Sequence, residues 1–177
     1  MKNILSTTIQ ICADCELHTS NKILGHGGKS VLICDFMPKK IISNNNLALC
    51  DKSNELFDIL QKLFTNINWS VQNTYFTNLI KCQIFDDKFF DESIMNKCFR
   101  RNFMQELFFV NPFAIIVFDE RVKKFLDARV DTKIYPIFLV EHYDTIKLNY
   151  DNKFEAWVQQ WRDIKFRVQK LIQIMNV

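Results

Sequence analysis

Four of the six cysteines are spaced as soft metal ligands would be. Cys12-Ala-Asp-Cys15 makes a C-x2-C pair near the N-terminus, and Cys82 and Cys98 form a second pair with residues 83–97 between them. Four thiolates hold either a tetrahedral zinc ion or an iron–sulfur cluster, and spacing alone leaves the two open. A disulfide framework is not expected of a chain that reads as intracellular, where thiols stay reduced. Cys34, inside an apolar run, and Cys50 read instead as small buried hydrophobes.

These ligands need a scaffold, and hydrophobic periodicity supplies one. Residues 30–36 (SVLICDF) read as a strand. Asp51 or Ser53 can cap a helix whose Leu56, Phe57, Leu60, Leu63 and Phe64 recur at helical spacing. Residues 73–80 (NTYFTNLI) read as a second strand, 91–109 as a helix and 112–118 (PFAIIVF) as a strand buried on both faces. A short helix over 119–126, a strand over 133–140 and a long helix over 152–175 complete the pattern. The last carries an apolar stripe through Phe154, Trp157, Val158, Trp161, Ile164, Val168, Leu171, Ile172 and Met175. Strands alternating with helices predict a three-layer α/β/α sandwich around a mainly parallel, four-stranded sheet. Ligands bind beyond the carboxyl ends of such strands. That rule selects residues 35–40, 78–82 and 141–144, and it places Cys82 at a strand end and Cys98 inside the following helix.

Composition sets the outer bounds. A chain of 177 residues with 48% hydrophobic and 24% charged residues suits one globular domain over 1–177. No apolar run is long enough to span a bilayer and the N-terminus lacks a secretory signal, so no membrane partner and a cytoplasmic location are expected. A net charge of +3 permits a nucleic-acid partner without requiring one. Lys39-Lys40, Lys81, Arg100-Arg101 and Lys123-Lys124 can form a phosphate-contacting rim or an ordinary solvated face. His18 and His26 read as structural or surface residues.

The residues in these places resemble the family 4 uracil-DNA glycosylases, the iron–sulfur branch of their superfamily. The likeness runs through Cys12-x2-Cys15-x-Leu17 and Gly25-His-Gly27, and is most specific at Tyr75-Phe-Thr-Asn-Leu-Ile-Lys-Cys82, similar to the family's YITNxxKC segment. It continues through Cys98, through Asn111-Pro112 in place of RP, and to Glu155-Ala-Trp157, so that nearly the whole chain is covered. The resemblance implies a 4Fe–4S cluster on Cys12, Cys15, Cys82 and Cys98. It also implies a base-reading amide at Asn78 and, at His142, the histidine that steadies the departing uracil anion.

Elsewhere the family's pattern is replaced. Anchoring its GEAPG loop on Pro38 puts Asp35 at the first glycine, Phe36 at the water-positioning acid, Met37 at the alanine and Lys39 at the last glycine. A one-residue slip would give Asp35 the acid's place and lose the proline. Leu49 stands where an aromatic residue stacks on uracil, and a leucine lacks the π-face for that contact. His142-Tyr143-Asp144 replaces the HPS motif, and Asp86-Asp87-Lys88-Phe89-Phe90 replaces a proline- and arginine-rich loop. The candidate catalytic residues are thus His142, Asn78 and Asp35, with Leu49, Phe36 and Lys39 at the substrate side.

The implied function is a glycosylase-like iron–sulfur protein with impaired chemistry, binding DNA or scaffolding a replication or repair assembly. The psi subunit of the bacterial DNA polymerase III clamp loader, which is similar to these glycosylases without being one, offers an analogy at the level of fold. An active glycosylase excising uracil or another deaminated base is the alternative expectation, and a zinc-only structural protein a further one.

Overall fold

The computed structural model describes residues 9, 12–15, 17, 22, 24–37, 55–82, 92–148 and 150–175. The expected capping residues Asp51 and Ser53, together with Lys39, Leu49, Cys50 and the 86–90 segment, lie outside them.

The chain begins with a two-residue strand β1 (His26–Gly27), followed by β2 (Val31–Asp35), helix α1 (Glu55–Asn66), a 3-10 turn over Val71–Asn73 and β3 (Thr74–Asn78). Next comes a helical stretch in three parts: α2 (Glu92–Cys98), a π-helical turn over Phe99–Phe103, and α3 (Met104–Val110). Then follow β4 (Ala114–Val117), α4 (Glu120–Asp127), β5 (Ile137–Leu139), α5 (Tyr143–Leu148) and α6 (Tyr150–Met175).

The sheet order is β1-β3-β2-β4-β5. Four strands are parallel, as expected, and β1 adds a fifth, pairing antiparallel along the outer edge of β3. Gly27 permits that edge because its φ of +119° lies where side chains are strained, and a Cβ there would collide with the Thr74 carbonyl. Residues 133–135, expected in the last strand, instead make a turn. The Asp131 carbonyl accepts the Ile134 and Tyr135 N–H groups at 3.0 and 2.9 Å, so β5 starts only after Pro136.

Strand side chains alternate between faces, and each face has its own core. Val31, Ile33, Phe76, Ala114 and Ile116 pack against Leu60, Leu63 and Phe64 of α1, Ile146 of α5, and Trp157, Val158, Trp161, Ile164 and Val168 of α6. Leu32, Cys34, Tyr75, Ile115 and Val117 pack against α2, α3 and α4 through Ile94, Met95, Phe99, Phe103, Leu107, Val122 and Leu126. Helices on both faces of a central sheet make the three-layer α/β sandwich. Burial on both sides explains why β2 and β4 are continuous apolar runs rather than alternating ones. Among the described residues no helix is long and apolar enough to cross a membrane.

Candidate functional site

The parallel register pairs Asp35 with Asn78 at the carboxyl ends of β2 and β3. Both are last residues of their strands, and parity puts both side chains on the face covered by α1, α5 and α6. The strands stay zipped beyond this point, since Leu79 N–H donates to the Asp35 carbonyl at 2.9 Å and Ile80 N–H to the Phe36 carbonyl at 3.0 Å. Asp35 is 4% exposed and Asn78 2%. One oxygen of Asp35 accepts the Phe36 N–H at 2.7 Å. The Asn78 Oδ1 has no hydrogen-bond partner among the described residues, an expensive condition for a buried acceptor.

His142 completes this group from the loop after β5. Its Nε2 lies 3.9 Å from Asp35 Oδ1, an electrostatic rather than a hydrogen-bonding separation. Its Nδ1 accepts the Asp144 N–H at 3.2 Å, so a neutral ring carries its proton on Nε2, toward Asp35. The Asp144 carboxylate stands 3.6 Å from the same Nδ1. The ring stacks on Tyr143 at 4.3 Å and meets the edge of Phe118 at 6.0 Å. Burial, and then the charges of Asp35 and Asp144, push the Tyr143 hydroxyl upward in pKa.

Helix α6 holds the loop in place: Trp157 Nε1 donates to the Glu141 carbonyl at 3.1 Å, Glu141 N–H donates to Gln160 at 3.3 Å, and Lys153 pairs with the Glu141 carboxylate at 2.5 Å. Phe36 points to the other side of the sheet, buried in the second core under the Arg121 guanidinium, 4.8 Å from its ring centre.

The cysteines gather on that second face. Cys82, which makes a lone bridge to Lys22, and Cys98, the last residue of α2, are both buried, and Cys12 and Cys15 are half-buried. Asn102 links two segments, its Nδ2 donating to Cys98 Sγ at 3.5 Å and to Cys12 Sγ at 3.8 Å. Lys81 N–H donates to Cys98 Sγ at 3.3 Å. Burial pushes the Cys82 thiol up to about 12, with Cys98, Cys15 and Cys12 adding to the rise and Lys22 opposing it. All four sulfurs therefore share one neighbourhood. Among the described residues no three His, Cys, Asp or Glu side chains stand close enough to hold a metal ion as they are. The donor set still fits a soft-metal group: it is all thiol, drawn from three segments, and already supplied with N–H donors of the kind that steady thiolates.

Beneath the cysteines lies an ion pair that the sequence does not announce. Lys81, expected on a phosphate-contacting rim, is 1% exposed, and its ammonium pairs with the carboxylate of Glu106, 0% exposed. The rim reading is corrected for a physical reason. Thr77 Oγ1 at 2.8 Å and Tyr75 OH at 3.2 Å also donate to Glu106, giving this carboxylate the partners that make a buried charge tolerable. Gly25 leaves room for the arrangement, since a Cβ there would stand 2.5 Å from Glu106 Oε1.

Three of the other expected rim residues have acidic neighbours, while Lys39 and Lys40 lie outside the described residues. Arg101 lies 3.7 Å from Asp14, Lys123 2.5 Å from Asp127 and Lys124 3.1 Å from Glu120. Such exposed pairs are weak, and phosphates can compete for them.

Sequence reasoning missed Glu106 and Asn102. Both lie on the apolar stripe formed by Phe99, Phe103, Leu107 and Val110, and a polar residue on such a stripe is the signal that could have found them. Compared with known proteins, the chain matches no family model and no curated protein.

Proposed function

We propose that this chain is a cytoplasmic, uracil-DNA-glycosylase-like protein that binds DNA or scaffolds a replication or repair assembly, with base-excision chemistry reduced. In this reading Cys12, Cys15, Cys82 and Cys98 hold a 4Fe–4S cluster. The observation that carries it is the meeting of Asn78, Asp35 and His142 at the carboxyl ends of adjacent parallel strands, where an α/β sheet binds ligands. A bound cluster would tie the 12–15 segment, the end of the β3 connection and α2 together behind that site.

The reduction in chemistry follows from the surroundings of His142. A base leaving DNA as an anion needs positive or donor groups at its oxygen. Here the imidazole is bracketed by two carboxylates, Asp35 at 3.9 Å and Asp144 at 3.6 Å, which oppose a negative leaving group and an approaching phosphate alike.

A second reading, an active glycosylase, draws on the Asn78 Oδ1, which has no hydrogen-bond partner among the described residues and is a buried acceptor suited to the N–H of a flipped pyrimidine. One assay separates the two. Purified, metal-analysed protein is incubated with uracil-, hypoxanthine- and xanthine-containing oligonucleotides, and abasic sites are revealed by alkali. The proposal expects DNA binding, weakened by salt, with little or no cleavage. Cleavage that disappears in Asn78→Ala and His142→Ala would establish the enzyme instead. Stoichiometric zinc without iron or sulfide, and no DNA binding, would leave the zinc-only structural protein.

A further inference from the structure

The π-helical turn over Phe99–Phe103 interrupts an otherwise regular helical stretch immediately after Cys98. Such insertions are uncommon and concentrate at functional sites, because the wider turn re-aims side chains that an α-helix would direct elsewhere. The side chain inside this one that carries hydrogen-bonding groups into the core is Asn102, 2% exposed. Its Nδ2 donates to Cys98 Sγ at 3.5 Å and to Cys12 Sγ at 3.8 Å, while its Oδ1 has no hydrogen-bond partner among the described residues. As a packing element this is a poor choice: Phe99 and Phe103 of the same turn are apolar, and a leucine would fill the space without an unmet acceptor. As a partner of thiolates it is a good one, because thiolate sulfur accepts and the amide offers two N–H groups.

We infer that Asn102 is the positioning residue of the cysteine-bound group, its amide holding sulfurs from two separate segments at a fixed spacing and drawing negative charge from them. The inference rests on the reading that these cysteines bind a metal group. Hydrogen bonds to ligand sulfurs stabilise the more negative, reduced state and so raise a cluster's reduction potential. Partners of this kind commonly contribute 10–100-fold to metal affinity.

The test uses the full chain, reconstituted anaerobically with iron and sulfide, as wild type, Asn102→Leu and Asn102→Ala. Iron and sulfide content, the reduction midpoint followed by electron paramagnetic resonance, and the rate of iron loss to a competing chelator are measured. Both variants are expected to load the cluster, to reduce at a more negative potential, and to lose iron about 10–100-fold faster. A purely structural asparagine would leave midpoint and chelator rate unchanged in whichever variant folds, and that result overturns the inference while leaving the cluster reading intact. If the wild type takes zinc alone, the same 10–100-fold loss is expected in zinc affinity, and equal affinity overturns it. A wild-type chain that binds neither overturns the inference and the reading beneath it together.

Discussion

Replacing Lys81 by methionine tests the strongest electrostatic feature of the molecule. The substitution keeps most of the side chain's apolar length and removes the ammonium, leaving the Glu106 carboxylate at 0% exposure without its cation. Breaking a buried pair from one side commonly costs about 3–5 kcal/mol, because the surviving charge stays desolvated. Glu106 would keep its hydrogen bonds from Thr77 at 2.8 Å and Tyr75 at 3.2 Å, which places the expected loss at the lower end, about 3 kcal/mol. In a chain of this length each kcal/mol moves the melting temperature by about 2–4 °C, so a fall of roughly 6–12 °C is expected. Urea and thermal unfolding, followed by circular dichroism at pH 7 and matched metal content, measure it.

The companion Lys81→Met/Glu106→Gln is expected to recover most of the loss. The neutral amide can still accept from Thr77 without carrying a stranded charge. A loss below about 1 kcal/mol for Lys81→Met would mean that the pair behaves like an exposed one. A double variant no more stable than the single would refute the argument from stranded charge.

Two further substitutions probe the elements that frame the site. Asp119 caps α4, accepting the Arg121 N–H at 2.7 Å; its burial would raise its pKa, but the Arg121 hydrogen bonds and charge outweigh that and lower it. A lowered carboxylate stabilises the fold above its unfolded pKa, near 4, and stops doing so as pH falls through the folded value. Asp119→Ala should therefore cost about 1 kcal/mol in urea unfolding at pH 7 and less as pH falls through the folded value; an equal cost across that range would exclude the charge. Asn111 ends α3 in the left-handed conformation, φ 45° and ψ 59°, so Asn111→Ala should cost about 1 kcal/mol while Asn111→Gly stays within about 0.5 kcal/mol of wild type. Equal effects of the two would show that the backbone conformation does not decide the cost.

Much of the scaffold was legible because it depends on local pattern. The apolar run of β2, the helical spacing of α6 and the order of strands and helices all follow from periodicities of two and 3.6 that neighbouring residues express by themselves. The order of parallel strands also brought out Asp35, Asn78 and the loop at His142, because such a sheet presents its carboxyl ends together. The π-helical turn was not legible, since it shifts the register inside a stretch whose apolar spacing reads as one helix. The turn at residues 131–135 was missed for a related reason: an aspartate capping its own backbone competes with strand formation through a contact that apolar alternation does not express.

By itself the sequence determined the α/β order, the set of four grouped cysteines and the three residues at the strand ends. Only the tertiary structure decided that Asp35, Asn78 and His142 lie on one face of the sheet and the cysteines on the other, that Lys81 turns inward to Glu106, and that Asn102 reaches two sulfurs. The reason is one of distance along the chain. Lys81 and Glu106 stand 25 residues apart, and Asn102 and Cys12 90. A charge or an amide is assigned to core or surface by a partner that local pattern cannot name.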